Sequence, residues 1–277
     1  MPIDVMMPFY GDVAQFKQAV SSVLGQSDPD LRLVVVDDGF PDDEPRVWLA
    51  GLGDERVSYR RNDTNLGVNG NFRRCVELVT AERFVVMGCD DVMLPDYLAT
   101  VRELAQAHPD AAVIAPGVEV IDSAGRVVRP LGDRIKSLLA PSGPTQLRGE
   151  ALAASLYRGN WTYFPSLLWR AAPVREVGFR TGLDVVLDLA LLCDLAAAGE
   201  CLVYDPAVVF HYRRHDASVS SVQAVDGRRF DEETRFFAGE RARCAARGWP
   251  RAARAARLHL TSRLHHAMSH AAGLLPG

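Results

Sequence analysis

Residues 84–91 read Phe-Val-Val-Met-Gly-Cys-Asp-Asp. An apolar run meets a glycine and a cysteine, then ends on two adjacent carboxylates. A buried strand that closes on two repelling charges needs a partner for them: water, an arginine or a metal ion. Two similar strand ends lie upstream. Residues 3–7 are a short apolar run stopped by Pro8, and residues 31–36 are another, followed by Asp37-Asp38-Gly39. Residues 57–60 are a further strand candidate. Between these runs, Val13, Phe16, Val20 and Leu24 recur at helical spacing, which predicts a helix over 12–25. Shorter helices are expected over 45–51 and 72–79, and one over 95–107 with Pro95 near its first turn. Strands that alternate with helices imply an α/β fold, a mostly parallel sheet with helices on both faces.

The chain has 277 residues, 48% hydrophobic and 24% charged, enough for one large or two small ordinary globular domains. A net charge of −4 argues against a global pull toward nucleic acid. No run of about 18 apolar residues appears, and the first residues lack a basic stretch leading into an apolar one. The five cysteines are odd in number and form no CxxC pair, which suits a reduced, cytoplasmic protein.

Beyond Pro109 the pattern changes. Residues 111–128 read as a strand and a hairpin turning at Asp122–Gly125. Residues 130–148 are polar and broken by Pro and Gly, the composition of a mobile loop. Helices are expected over 149–157 and 185–198, and strand material over 202–212, interrupted by Pro206. The expected division is one α/β domain over 1–222, with halves 1–108 and 109–222, and a helical extension over 223–277. Residues 241–277 hold seven arginines, four histidines and no carboxylate side chain. Ala253, Ala256, Leu260, Leu264, Met268 and Ala271 form an apolar stripe at helical spacing. That stripe suits packing on the catalytic domain or on a second subunit, as in a homodimer. The less favoured alternative is peripheral contact with an anionic membrane.

In open parallel sheets, ligands bind beyond the carboxyl ends of the strands. Three such ends are polar here: Pro8-Phe9-Tyr10-Gly11-Asp12, Asp37-Asp38-Gly39 and Asp90-Asp91. Each alone is an ordinary turn after a strand; their coincidence points to one crevice. Together, Pro-Phe-Tyr-Gly-Asp at 8–12, Val-Val-Val-Asp-Asp-Gly at 34–39, Asn-Leu-Gly-Val-Asn-Gly-Asn-Phe at 65–72 and Met-Gly-Cys-Asp-Asp at 87–91 resemble the family 2 glycosyltransferases of the GT-A fold. In the second half, 178–199 and 208–220 are similar to that family's acidic helix and its closing Tyr-Arg-Arg-His segment. The resemblance spans about 220 residues.

The resemblance implies an inverting transfer of a sugar from a nucleoside diphosphate sugar, UDP or dTDP favoured, to a hydroxyl of a carbohydrate, lipid-linked or small-molecule acceptor. It implies Mn²⁺ or Mg²⁺ on the leaving diphosphate. The family's usual Asp-x-Asp aligns with Gly88 and Asp90. Asp90 is therefore the expected metal ligand, with Asp91 beside it, or else Asp91 caps the turn before Pro95. His215 is expected at the metal or diphosphate, and Arg213 at the phosphate, with Arg214 pointing the other way along the strand. Pro8, Tyr10 and Asp12 are the expected floor for base and ribose, although Tyr10 also suits a half-buried aromatic. Asp38 is the expected base reader, and Asn65 with Gly67 the loop that crosses the nucleotide. Arg73 and Arg74 suit phosphate or a solvated helix face. Asp188 is the expected general base, Asp184 its runner-up, and Asp194 a surface charge. Trp161 is the expected acceptor platform, and Ser218 and Ser220 fall in a lid. The alternatives are a nucleotide-sugar-binding module without turnover and a nucleotidyltransferase.

Overall fold

The computed structural model describes residues 1–214 and 228–258. The first half is a run of strand–helix units: β1 (Ile3–Phe9), α1 (Val13–Leu24), β2 (Leu31–Asp37), α2 (Glu44–Gly51), β3 (Val57–Arg61), α3 (Gly67–Leu78) and β4 (Arg83–Val86). β1 pairs in parallel with β2 and β4, and β2 in parallel with β3. The continuous apolar composition of β1 and β2 follows, because both faces of each strand are covered. Met6, Val34 and Val36 point into one core; Val5, Met7, Leu33 and Val35 point into the other. α1 begins where the Asp12 carboxylate accepts from the Gln15 amide at 2.8 Å. α3 begins at Gly67, earlier than expected: with φ of +70° this glycine turns the Asn-rich loop directly into helix.

The second half continues the sheet. It comprises β5 (Val92–Met93), α4 (Tyr97–Ala107), β6 (Ala111–Ile121), α5 (Leu131–Leu139), β7 (Thr145–Arg148), α6 (Gly149–Arg158), β8 (Leu168–Arg170), α7 (Ala171–Val177), α8 (Leu187–Ala197) and β9 (Cys201–Arg213). The strand order is β3-β2-β1-β4-β8-β6-β9-β5, with β7 also on β9, nine strands among the described residues. β5, β7 and β8 run against the other strands, so the sheet is mostly parallel. β9 is unbroken, although Pro206 led us to expect an interruption. The register shifts opposite Pro206, where a Cβ on Gly117 would sit 2.3 Å from the Pro206 carbonyl oxygen. The bulge absorbs the proline, and a glycine partner makes room for it.

Residues 130–148, expected as a mobile loop, instead form α5 and β7. The hairpin before them turns as expected, with the Asp122 amide donating to the Arg126 carbonyl at 2.9 Å. α9 (Arg228–Ala246) and α10 (Pro250–Leu258) follow. Phe236, Phe237, Ala252, Ala255 and Ala256 join the core under α6 and α8. The described part of the tail stripe, Ala253 and Ala256, therefore packs on the core beside the sheet. The remainder lies outside the described residues. No described helix is long and apolar enough to cross a membrane.

Candidate active site

The loops at the carboxyl ends of the strands meet. A Cβ on Gly11 would stand 3.5 Å from Cys89 Sγ, and one on Gly39 3.4 Å from the Asn65 amide nitrogen. The β1 loop thus lies against the β4 loop, and the β2 loop against the β3 loop. Tyr10 stands 57% exposed at this edge, its ring T-shaped against Phe40. Pro8 is the half-buried penultimate residue of β1.

Asp38 is buried, and its Oδ1 accepts from Asn62 Nδ2 and from the Leu66 amide, both at 2.8 Å. It braces the 62–66 loop, a task the sequence did not reveal. Asn65 is exposed and caps that loop through Oδ1 to the Gly67 amide. Asp12 holds the start of α1. Arg73 reaches the Arg180 carbonyl at 3.2 Å, while Arg74 pairs with Glu77 on the surface.

The Asp90-Asp91 turn is bolted to the end of β9. Asp91 Oδ1 accepts from the Arg213 amide at 2.8 Å, and Arg213 Nε donates to the Asp90 carbonyl at 2.6 Å. The rest of the Arg213 guanidinium serves the Asp122 and Ser123 carbonyls and Gln18 Oε1. Arg213 is 2% exposed. The expectation that it faces phosphate is corrected: its donors are engaged and it holds the carboxylate turn together. Arg214, expected to point away, forks onto Asp133 at 2.6 and 2.8 Å. His215, Ser218 and Ser220 lie outside the described residues.

Asp91 is 1% exposed, and its Oδ2 is buried with no hydrogen-bond partner. Burial first, then the neighbouring charge of Asp90, pushes its carboxyl well above the ordinary range. Asp91 caps no helix; the N-cap of α4 is Asp96. Asp90 is the more exposed of the two carboxylates. Among the described residues no three His, Cys, Asp or Glu side chains converge as a metal site. An orphaned carboxylate oxygen behind a half-exposed carboxylate suits a cation held mainly by Asp90 and completed by ligand oxygens. It does not make Asp91 an accessible ligand.

Asp188 stands in the first turn of α8 and accepts from Asn160 Nδ2 at 3.0 Å. Burial raises its carboxyl above the usual value, opposed by the Leu189 amide, the charge of Lys136 and Asn160. Lys136 donates to the Thr162 carbonyl at 2.9 Å and lies 4.3 Å from the Tyr163 ring centre. Tyr163 donates to Asp133 at 2.9 Å and packs on Tyr212. A connected path therefore runs from Asp90 and Asp91 through Arg213, Arg214, Asp133 and Tyr163 to Asn160 and Asp188. Asp133 and Lys136 went unnoticed in the sequence because α5 was read as loop.

The runner-up, Asp184, is exposed. The residues between it and Asp188 are fixed by Glu232 of α9, whose carboxylate accepts from the Asp184, Val185 and Val186 amides at 2.8 to 3.1 Å. Asp194, expected as a surface charge, is a correction. It receives both arms of Arg180 at 2.7 Å and also binds Arg243, joining α8 to α9.

A cavity of about 470 Å³ opens beside this path, between β6, α5 and residues 161–167. Trp161 forms part of its wall; it is otherwise buried, with Nε1 donating to Ser155 Oγ at 3.1 Å. Asp133, Lys136 and Tyr163 also line it.

Relatives share this plan. The chain is 26% identical over 220 residues to the succinoglycan biosynthesis protein ExoO of Rhizobium meliloti, covering 78% of this chain and 62% of that protein. It is 31% identical over 100 residues to a glucosyl-dolichyl phosphate glucuronosyltransferase of Haloferax volcanii, covering 36% of this chain and 32% of that one. The fold matches S. aureus TarS, residues 1–349, in complex with UDP-GlcNAc, with a TM-score of 0.67, 14% identity, and coverage of 86% of this chain and 66% of that one. The chain thus spans less than two thirds of the length of ExoO. The model of the family described as glycosyl transferase family 2 matches residues 4–163, and the chain belongs to that family.

Proposed function

We propose that the chain is an inverting glycosyltransferase that takes a nucleoside diphosphate sugar, UDP- or dTDP-linked, and an acceptor hydroxyl. The observation that carries this reading is Asp188. It is a carboxylate with a raised proton affinity, oriented by Asn160 at the start of α8. The UDP-GlcNAc complex of the TarS relative supports the choice of donor class. The relative's name, succinoglycan biosynthesis, supports a polysaccharide or glycolipid product.

In this reading Asp188 takes the proton from the acceptor hydroxyl as its oxygen attacks the anomeric carbon. The bond from that carbon to the diphosphate oxygen breaks on the opposite face. Asn160 fixes the direction of the carboxylate, and Lys136 favours its ionised form. Asp90 would hold Mn²⁺ or Mg²⁺; His215, the other expected ligand, lies outside the described residues. When bound, the cation supplies charge to the leaving diphosphate. Tyr10 gives a stacking surface for the base, beside Pro8. Asp38 and Asn65 shape the wall of the nucleotide site, Asp38 by bracing the loop.

A thermal-shift panel of nucleoside diphosphates and nucleotide sugars, with and without Mn²⁺, tests the reading. Expected are a response to uridine or thymidine diphosphates that strengthens with Mn²⁺, its loss in Asp90→Ala, and turnover lost in Asp188→Asn. A response to NAD(P) or ATP alone sinks the proposal. Because Gly88 removes one carboxylate of the usual motif, a binding module is the second reading. Donor binding with no hydrolysis or transfer, unaffected by Asp188→Asn, would favour it.

A further inference from the structure

Helix α5 keeps Leu139 against the core but leaves two other leucines outside. Leu131, Arg134 and Leu138 are spaced by three, four and seven residues and so share one face. That face meets solvent: Leu131 is 51% exposed and Leu138 84%. On the other side Asp133 is 6% exposed, locked by Tyr163 and Arg214. A helix on a globular protein usually turns its leucines in and its charges out. Val127, 50% exposed on the neighbouring hairpin, lines the cavity together with Leu138, Arg129 and Arg134. Arg129 and Arg134 are exposed and form no ion pair among the described residues. Of the nearby bases, Arg126 pairs with Asp122 and Arg148 with Asp110, and Lys136 turns inward to the Thr162 carbonyl, so the basic character of this face rests on Arg129 and Arg134.

We propose that this face docks on an anionic lipid leaflet, with Val127, Leu131 and Leu138 entering the interface and Arg129 and Arg134 meeting lipid phosphate. Exposed aliphatic side chains flanked by unpaired arginines are what an anionic bilayer surface binds. A second copy of this chain fits less well. A two-fold contact through the same face would bring Arg129 and Arg134 toward their own copies, with no exposed acid on α5 to offset them. The cavity borders this face through Val127, Arg129, Arg134 and Leu138. Resting on the glycosyltransferase reading, the acceptor class that follows is a hydroxyl carried on a lipid. The surface is distinct from the stripe in the chain's tail.

The test is co-sedimentation of the full chain with phosphatidylcholine vesicles, with and without phosphatidylglycerol. Expected is pelleting with the anionic vesicles only, weakened by salt. Arg134→Gln should reduce partitioning about fivefold, the effect of one basic residue near an anionic surface. Leu138→Glu should abolish it, while Val47→Glu, an exposed apolar site on α2, should leave it unchanged. Circular dichroism confirms that each variant is folded. Equal pelleting of Leu138→Glu and the parent overturns the proposal. So does loss of pelleting in a chain ending at Leu258, which assigns the contact to the tail. So does a dimer that Leu138→Glu converts to monomer. Thermal shift with UDP on the same samples separates the two readings. Docking without a nucleotide response removes the glycosyltransferase reading and leaves the surface; the reverse removes the surface alone.

Discussion

A methyl group at position 88 would stand 2.4 Å from Asp91 Oδ2 and 2.9 Å from Asp90 Oδ1. The two carboxylates fold over a glycine that has no side chain to oppose them. The carboxylate that relatives place here is therefore sterically excluded unless the turn moves. Gly88→Ala should cost about 1–3 kcal/mol through overpacking. A melt should show the midpoint falling by several degrees, together with a weaker response to nucleotide and Mn²⁺ as Asp90 is displaced. A second expectation concerns Asp188. A base must be ionised, so activity should fall as pH drops through its raised value, above the ordinary carboxylate range. The Asn160 hydrogen bond opposes that rise. Asn160→Ala should therefore move the acid limb of the pH–rate profile to higher pH, and a limb that stays in place would argue against Asp188 as the base. Much of this chemistry was legible in the sequence: carboxylates at strand ends and an acid opening a helix. What lay hidden was occupancy. Nothing in the local sequence tells that Asp38 and Arg213 spend their polar atoms on the protein itself, because their partners are set by tertiary contacts; Asp12 instead caps its own helix locally.

α8 carries the proposed base, Asp188, but the turn before it is gripped from a distant element. Glu232 of α9 satisfies three consecutive amides there. Glu232→Ala would leave those donors to water and loosen the turn, a local cost of about 1–3 kcal/mol. Turnover should drop by roughly tenfold or more through misplacement of the base. Nucleotide affinity should stay put, because α9 does not touch the strand ends that form the nucleotide crevice. Equal losses in turnover and in nucleotide binding would indicate general unfolding instead. At this scale β1 to β4, β6, β9 and the longer helices were legible from their apolar runs, whereas the short strands β5, β7 and β8 were not. α5 was not. Leu139 packs on the core, but Leu131 and Leu138 face solvent and Asp133 is buried, so the inward apolar pattern is broken and reads as loop. β9 passes through Pro206 only because Gly117, in another strand, yields to it.

Across the whole molecule, Asp4 ties three segments. Its carboxylate takes the fork of Arg32 from β2 at 2.8 and 2.7 Å and the Thr80 and Ala81 amides before β4. Burial acts to raise its carboxyl, but the Arg32 and amide hydrogen bonds outweigh that and hold it below the usual range. Its stabilisation is therefore complete above the ordinary carboxylate value and is lost as pH falls through the lower, folded-state value. Asp4→Asn should lower stability by about 2–3 kcal/mol at neutral pH and make denaturation curves less sensitive to acid. An unchanged acid dependence would assign the effect elsewhere. The grip of Glu232 has a practical consequence at this scale. The proposed base, Asp188, follows a turn held by a helix late in the chain, so anything that tugs on that helix also strains the turn leading into it. An affinity tag, a fusion partner or a surface tether attached behind α9 would act as a brake on turnover. The same additions at Met1, whose carbonyl is held by Arg102 of α4, should leave turnover unchanged.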